Sequence, residues 1–374
     1  METYRLSSRL KEAGREYMIQ TANDAAQGSV ATTVYVEGVR TETIDCPHPA
    51  EVTQDQMLSL VKLTHGEKKK ELETLLRAYA QAIQKADPEL MYQLGTAFFY
   101  RRFFNEASEL FDRVLHTLPD HHQAWNYLGM TWLAVGQTER ALEAAKRAAE
   151  QRPGFADYRN NLGEAHLAVG QAVPAISEFE QAISINMYYG DAYFNLALAH
   201  LLEASRGGSQ GRAVRLIEKV AECFNKAAMI YPDYRRHSDY EEGMRVLKRG
   251  DFARALELFQ SVRDAKKERH RREFAAYYMR FVLYPEWVTE KSVGDRVLFL
   301  EQELRRNPGY VDMQTELAKC YLEQSRILCQ KAARQFGRVA DTHPGMPGLA
   351  QTIESVSQVH QRMDEIIRRI ARKG

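Results

Sequence analysis

The sequence predicts a mostly α-helical fold, an α-solenoid of stacked helical hairpins, with a small β module at its N-terminal end. Three observations carry this expectation. Leu94-Gly95, Leu128-Gly129 and Leu162-Gly163 recur at an interval of 34 residues, with Leu196-Ala197 on the same beat. Ala107, Ala141 and Ala175 keep that interval, as do Val114, Ala148 and Ala182. Pro119 and Pro153 follow in step, and Met187 holds the next such position. A period kept over so many positions marks repeated supersecondary units that bury their apolar faces on one another.

Residues 1–50 read differently from the rest. Val30, Thr32, Val34 and Val36 alternate with other residues, Glu37-Gly38 interrupts, and alternation resumes from Val39 to Cys46. That pattern predicts a β-hairpin, with Tyr17 to Thr21 as a candidate third strand. A lone hairpin is marginal in water, so the module is expected to lean on the helices that follow. It serves either as a cap on the solenoid or as an edge that recruits a partner by strand addition.

Residues 51–87 read as a helical adaptor pair. Thr53 and Gln56 make a capping box, and Val52 with Met57 a hydrophobic staple. The first helix is expected to stop at Gly66, and the second carries Leu72, Leu75, Leu76, Tyr79 and Ile83 on one stripe. From Met57 onward the helices are expected to carry a core of their own.

The repeats occupy residues 88–265. Asp87-Pro88 pairs a capping residue with proline at the first helical position. Each unit joins two amphipathic helices at a glycine such as Gly136 or Gly170, where the chain must turn tightly. Small residues at the Leu-Gly pair and at Ala107, Ala141 and Ala175 allow close helix approach, and Phe111, Trp125, Trp132 and Phe179 fill the space beside them. An inserted loop at 205–212 contains Gly207-Gly208-Ser209-Gln210-Gly211, which spells the hydrolase G-x-S-x-G string. That string needs a strand before it and a helix after, whereas this one lies between two helices. A fifth unit carries Gly243, Gly250, Ala255 and Phe259.

Beyond it, residues 266–346 read as degenerate helical repeats. A long helix contains Tyr277, Tyr278 and Phe281, a loop follows at Tyr284 to Trp287, and a helix ends at Pro308. A further helical pair spans Val311 to Pro344. Residues 347–374 form a polar capping helix with Arg368, Arg369, Arg372 and Lys373 at its end, where cations complement the helix dipole.

The repeat positions resemble the tetratricopeptide repeat family. Trp125, Leu128, Gly129, Trp132, Ala141, Ala148 and Pro153 fill its pattern in the second unit, with no specific member indicated. The resemblance implies a right-handed superhelix whose first helices line a concave groove for protein ligands. By that geometry the peptide-binding stripe comprises Tyr92, Thr96 and Phe99, then Asn126 and Met130, then Asn160, Asn161 and Glu164, then Phe194, Asn195 and Leu198. An amide side chain donates and accepts, so it can pair with a peptide backbone of any sequence. Asn161 and Asn195 resemble the asparagine ladder of some groove-binding repeat proteins, and on this reading neither is needed for packing. The stripe lacks the lysines with which the family's chaperone-tail binders clamp a terminal carboxylate.

Charge and composition narrow the function. Lys+Arg 51 against Asp+Glu 50 gives a net charge of +1, with no global attraction to nucleic acid or acidic lipid. One basic run, Lys266, Lys267, Arg269, Arg271 and Arg272, offers an alternative RNA or anionic-polymer contact, against a solvated helix face balanced by Glu268 and Glu273. Cys46, Cys223, Cys320 and Cys329 show no C-x-x-C or zinc spacing and read as reduced thiols of a cytoplasmic protein. Neither an apolar leader nor a run of ~18 apolar residues is present. His116, Asp120, His121 and His122 fit no standard ligand set, and His166 with His200 read as interface packing. The expectation is a non-catalytic adaptor without metal or cofactor, binding a protein or peptide in its groove. Nucleic acid and membrane insertion are not expected, and the sequence leaves the oligomeric state open.

Overall fold

The computed structural model describes residues 3–12, 14–24, 28–48, 51–206, 213–278, 290–306, 311–343 and 346–371. Strands β1 (Arg5–Glu12), β2 (Arg15–Asp24), β3 (Ser29–Val36) and β4 (Val39–Pro47) form an antiparallel meander in that order. The predicted hairpin is β3–β4, pairing Val36 with Val39 across Glu37-Gly38. Both turn residues have positive φ, 50° and 77°, as a two-residue turn that matches strand twist requires. Tyr17 to Thr21 lies inside the longer β2, and β1 is a strand that alternation did not reveal. Its outward Arg5, Ser7, Arg9 and Lys11 are exposed and its other face is only half-buried, so the apolar signal is faint.

The sheet lays one face on α1 (Gln54–Lys85), which opens with the predicted Thr53–Gln56 capping box. The expected stop at Gly66 does not occur. An interior glycine costs only ~1 kcal/mol, and the residues beside it are tied to the sheet. His65 hydrogen-bonds Thr21 Oγ1 at 3.0 Å and Ser8 Oγ at 2.8 Å, and Lys68 Nζ donates to Glu42 at 2.7 Å. Glu42 also takes Arg101 at 3.1 Å, and Arg101 reaches Glu71. Glu42, Lys68 and Arg101 are all buried. Burial alone would raise the Glu42 carboxyl, but Arg101 and Lys68 hold it below its ordinary value.

Sheet and helices share one core, contrary to the expectation that the helices carry their own. Tyr17, Ile19, Val34 and Val36 cluster with Leu72, Leu75, Leu76 and Tyr79, and that cluster continues into the first repeat. The Tyr17 hydroxyl donates to buried Glu106 at 2.7 Å.

Five helical hairpins follow. They are α2 (Pro88–Tyr100) with α3 (Phe104–Thr117), α4 (His122–Ala134) with α5 (Thr138–Gln151), α6 (Ala156–Ala168) with α7 (Ala172–Ile185), α8 (Gly190–Ser205) with α9 (Ala213–Ile230), and α10 (Ser238–Lys248) with α11 (Phe252–Tyr278). The first helices α2, α4, α6 and α8 pack side by side as an inner layer. A Cβ at Gly129 would stand 3.2 Å from the Ala145 nitrogen and 3.3 Å from the Ala141 oxygen, so these helices meet backbone to backbone. At Gly95, Gly163 and Gly243 the rings of Phe111, Phe179 and Phe259 take the corresponding space. The Gly207–Gly211 string lies outside the described residues.

Helices α12 (Glu290–Arg306), α13 (Val311–Thr342) and α14 (Leu349–Ala371) pack on one another, with Val293, Val297, Leu300, Cys320 and Ile327 forming one buried cluster. The pair expected between Val311 and Pro344 is one helix, because no proline interrupts it and a glycine near its end, Gly337, is tolerated. Phe281, the loop at 284–287 and Pro308 lie outside the described residues.

Two predictions follow from this packing. Gly129→Leu must push apart two backbones that cannot rotate away, an overpacking cost of about 1–3 kcal/mol or more; a circular dichroism melt with an unchanged midpoint would contradict the close crossing. Glu42→Ala leaves Lys68 and Arg101 buried with only Glu71 nearby, and should cost about 3 kcal/mol in urea unfolding, whereas a loss under ~1 kcal/mol, as for an exposed pair, would show the network to be solvated.

Candidate functional site

The inner layer and α11, from Leu256 to Arg271, flank a half-open cavity of about 950 Å³. Seven predicted stripe residues line it: Phe99, Asn126, Met130, Asn160, Asn161, Glu164 and Leu198. Tyr127, Asp157 and Leu167 also line it, and α11 contributes Arg263, Lys267 and Arg271.

Four predicted residues point elsewhere. Thr96 is fully buried and its hydroxyl donates to the Tyr92 carbonyl at 3.0 Å. Tyr92 packs against His121, with ring centroids 4.8 Å apart, in the seam between the first two repeats. Phe194 is fully buried and stacks on Tyr234 at 4.2 Å. Asn195 is 1% exposed. The groove stripe is narrower than helical phase predicts, since positions at its edge turn into the contact with the next helix rather than into the cavity.

The asparagines form a ladder, but an internal one. Asn161 Nδ2 donates to Asn126 Oδ1 at 2.9 Å, across from α6 to α4. Asn195 Nδ2 donates to Asn160 Oδ1 at 3.0 Å and to Glu164 Oε1 at 2.8 Å, across from α8 to α6. A buried amide must find partners; the preceding inner helix supplies them to the Asn195 NH2 group, while its Oδ1 has none among the described residues. The expectation that Asn161 and Asn195 are not needed for packing is therefore corrected. These two residues stitch neighbouring repeats together.

Two residues of the basic run, Lys267 and Arg271, line the same cavity. Lys267 Nζ donates to Glu164 Oε2 at 2.6 Å, and Lys266 pairs with Asp191 of α8. Arg271 donates to the Tyr100 carbonyl and to Glu268 at 2.7 Å. Arg269 pairs with Asp233 at 2.9 Å and Arg272 with Glu268 at 3.0 Å. All five cations of the run thus have acidic or carbonyl partners, so the run is not an open cationic face. Burial alone would raise the Glu164 and Asp191 carboxyls, yet Lys267 and Lys266 respectively hold them below their ordinary values. Glu268 is held down to about 2, chiefly by its hydrogen bond from Arg271. The Phe274 ring stacks on Tyr100 with centroids 5.2 Å apart.

The sequence carries a signal for this crossing in the absence of helix breakers along α11. Earlier second helices end at Pro119 and Pro153, but no glycine or proline occurs between Gly250 and Pro285. α11 therefore continues past its own hairpin and returns to α2.

The histidines serve packing and capping. His121 accepts from the Ala124 N–H at the start of α4, His122 bonds the Tyr158 hydroxyl at 2.7 Å, and His166 bonds Gln171 at 2.8 Å. Among the described residues no His/Cys/Asp/Glu group is arranged to hold a metal, and no helix is long and apolar enough to cross a membrane.

Comparison with known proteins gives one family. The tetratricopeptide repeat model matches residues 92–154 and 133–189. The peroxisomal targeting signal receptor of Kluyveromyces lactis is 26% identical over 118 residues, 32% of this chain and 21% of that protein. Its Eremothecium gossypii counterpart is 31% identical over 90 residues, 24% of this chain and 16% of that protein. The chain thus spans about a fifth or less of the length of these relatives. Among solved structures, MamA is 22% identical, covering 49% of this chain and 93% of that one with a TM-score of 0.36. YrrB, described as a repeat protein with an unusual peptide-binding site, is 15% identical over 53% of this chain and 97% of its own, also at 0.36.

Asn195→Ala removes one buried and one part-buried hydrogen bond and strands the Asn160 oxygen, a loss of about 1–3 kcal/mol in chemical denaturation. Asn161→Ala, at a half-buried position with one such bond, should cost about 0.5–1.5 kcal/mol. Equal, negligible losses for both would mean that the ladder does not bind the repeats together.

Proposed function

With residues 92–189 formed of tetratricopeptide repeats, we propose that this chain is a non-catalytic scaffold that holds a segment of another polypeptide along its concave face. One observation carries the reading. The inner layer already receives a helix, the chain's own α11, and still leaves a cavity of about 950 Å³ between them. Its walls suit a peptide. Half-buried Asn161 keeps an amide oxygen outside the ladder, beside the apolar Met130, Leu167 and Leu198, so a ligand finds a hydrogen bond for its backbone and contact for its side chains. The fungal relatives are, by name, receptors of a targeting signal, which agrees with a polypeptide ligand. A cytoplasmic location without a cofactor completes the reading. Nucleic-acid binding through the basic run is the weaker alternative, because those cations are already engaged with acidic and carbonyl groups of the same chain.

A photoreactive amino acid separates the concave from the convex face. Placed at Met130, on the cavity wall, it should cross-link a discrete protein partner in cells that produce the chain. Placed at Lys146, exposed on outer helix α5, it should not. Capture of the same partners from both positions, or only from Lys146, would move the binding surface away from the groove.

A further inference from the structure

Helix α11 is anchored in two different ways along its length. Leu258, Phe259 and Val262 belong to the apolar core around the last repeat. Beyond Val262 the contacts to the inner layer become largely ionic, with Lys266 on Asp191, Lys267 on Glu164 and Arg271 on the Tyr100 carbonyl. Phe274 on Tyr100 adds an aromatic contact at the far end. The Lys267 side chain remains 47% exposed, while Lys266 and Arg271, at 17% and 15%, keep only an edge in solvent; an ion pair as open as that of Lys267 contributes little. A helix held by a core cannot leave it, whereas one held by accessible charges exchanges with anything that carries the same charges.

The receiving groups are laid out as a site. Glu164 on α6 and Asp191 on α8 stand on successive inner helices, and the Tyr100 carbonyl and ring mark the end of α2. The matching groups on α11 sit at positions 266, 267, 271 and 274, within one broad face of a helix. Both carboxylates have a framework partner besides α11: Asn195 holds Glu164 Oε1, and the Tyr234 hydroxyl holds Asp191. Losing α11 therefore leaves them oriented.

Building on the scaffold reading, we propose that Glu164, Asp191 and Tyr100 form a docking site for a basic helical segment of a partner protein. The Lys266–Phe274 stretch of α11 is its built-in competitor, which that partner displaces. The ligand is a helix with two adjacent cations, a third one turn on, and an aromatic ring at the next turn. An internal competitor lowers the apparent affinity of the external ligand by the fraction of molecules whose site is open. Chains in which α11 is docked ~90% of the time bind about tenfold more weakly than chains in which it is released.

The probe is a fluorescein-labelled synthetic peptide of residues 262–278, titrated with the full chain by anisotropy. Lys266→Glu with Lys267→Glu in the chain places like charges against Glu164 and Asp191 and expels the internal segment. This double variant should bind the probe about tenfold or more tightly than wild type, and raised salt should abolish the gain. A probe carrying the same two substitutions should not bind the double variant. Equal affinity of wild type and a folded double variant for the unaltered probe would overturn the proposal and make α11 a fixed strut. Where the double variant does not fold, Lys267→Gln with Phe274→Ala supplies the same comparison, and absence of a gain there overturns it equally. Cross-linking from Met130 reports a groove ligand whether or not this exchange occurs, so failure of the competitor and failure of the scaffold reading remain distinct.

Discussion

Two helices of the second repeat meet so closely that a single added carbon at Gly129 would press on main-chain atoms of Ala141 and Ala145. The other repeats satisfy the same spacing differently. Residues 111 and 179 stand one period either side of Ala145, and there phenylalanine rings close over Gly95 and Gly163. Small against small, or small against a flat ring, each pair lets the two helices of its repeat approach closely. That packing goes with inner helices set side by side. It brings Asn161 to Asn126 and Asn195 to Asn160 at hydrogen-bond range, each across 35 residues of sequence. The groove is a consequence of the crossing.

The sequence disclosed whatever repeats and hid what occurs once. Hairpin boundaries at Gly136 and Gly170 were legible because a positive φ demands glycine at these turns, and both show it, at 76° and 78°. Gly66 carried the same letter without the same demand, and the helix runs through it. β1 was hidden because the sheet buries little of it, leaving no apolar alternation to read. Asn126, Met130, Asn161 and Glu164 line the cavity as the stripe predicts, whereas Tyr92, Thr96, Phe194 and Asn195 turn into the seams between helices. Helical phase locates a side chain only to within a residue or so of arc, and the line between groove and seam is narrower than that. The role of Lys266 and Lys267 was not legible from local pattern at all. Their partners Asp191 and Glu164 lie 75 and 103 residues away.

The sheet and the first repeat show how buried charge can orient an assembly that apolar contact stabilises. Tyr17, Ile19, Val34 and Val36 would pack against α1 in several rotations, since apolar attraction has no direction. The Glu42, Lys68 and Arg101 cluster has direction. It joins β4, α1 and the end of α2 at distances of 2.7 and 3.1 Å, and any other rotation would leave a charge buried without a partner. Replacing such a cluster by apolar residues often leaves stability unchanged, so its physical contribution is the penalty it places on alternatives. The continuous α1 then transmits this fixed orientation to the repeats, whose first hairpin it touches through Leu72, Leu75 and Tyr79.

Permanence and exchange are separated in the groove down to single atoms. Glu164 uses Oε1 for Asn195, a bond buried between inner helices, and Oε2 for Lys267, whose ammonium reaches in from the solvent side. The first bond belongs to the stack of repeats. The second belongs to α11 and weakens with salt, because its cation remains accessible to counter-ions. An apolar seat for α11 would couple the two, since removing the helix would expose surface that the stack must then bury again. Where carboxylates form the seat, water can solvate what α11 would leave, while the Tyr100 ring that Phe274 covers would need a new contact. On the proposed scaffold reading, a concave face filled by its own chain and yet open to another polypeptide needs that separation, and one glutamate side chain carries both bonds.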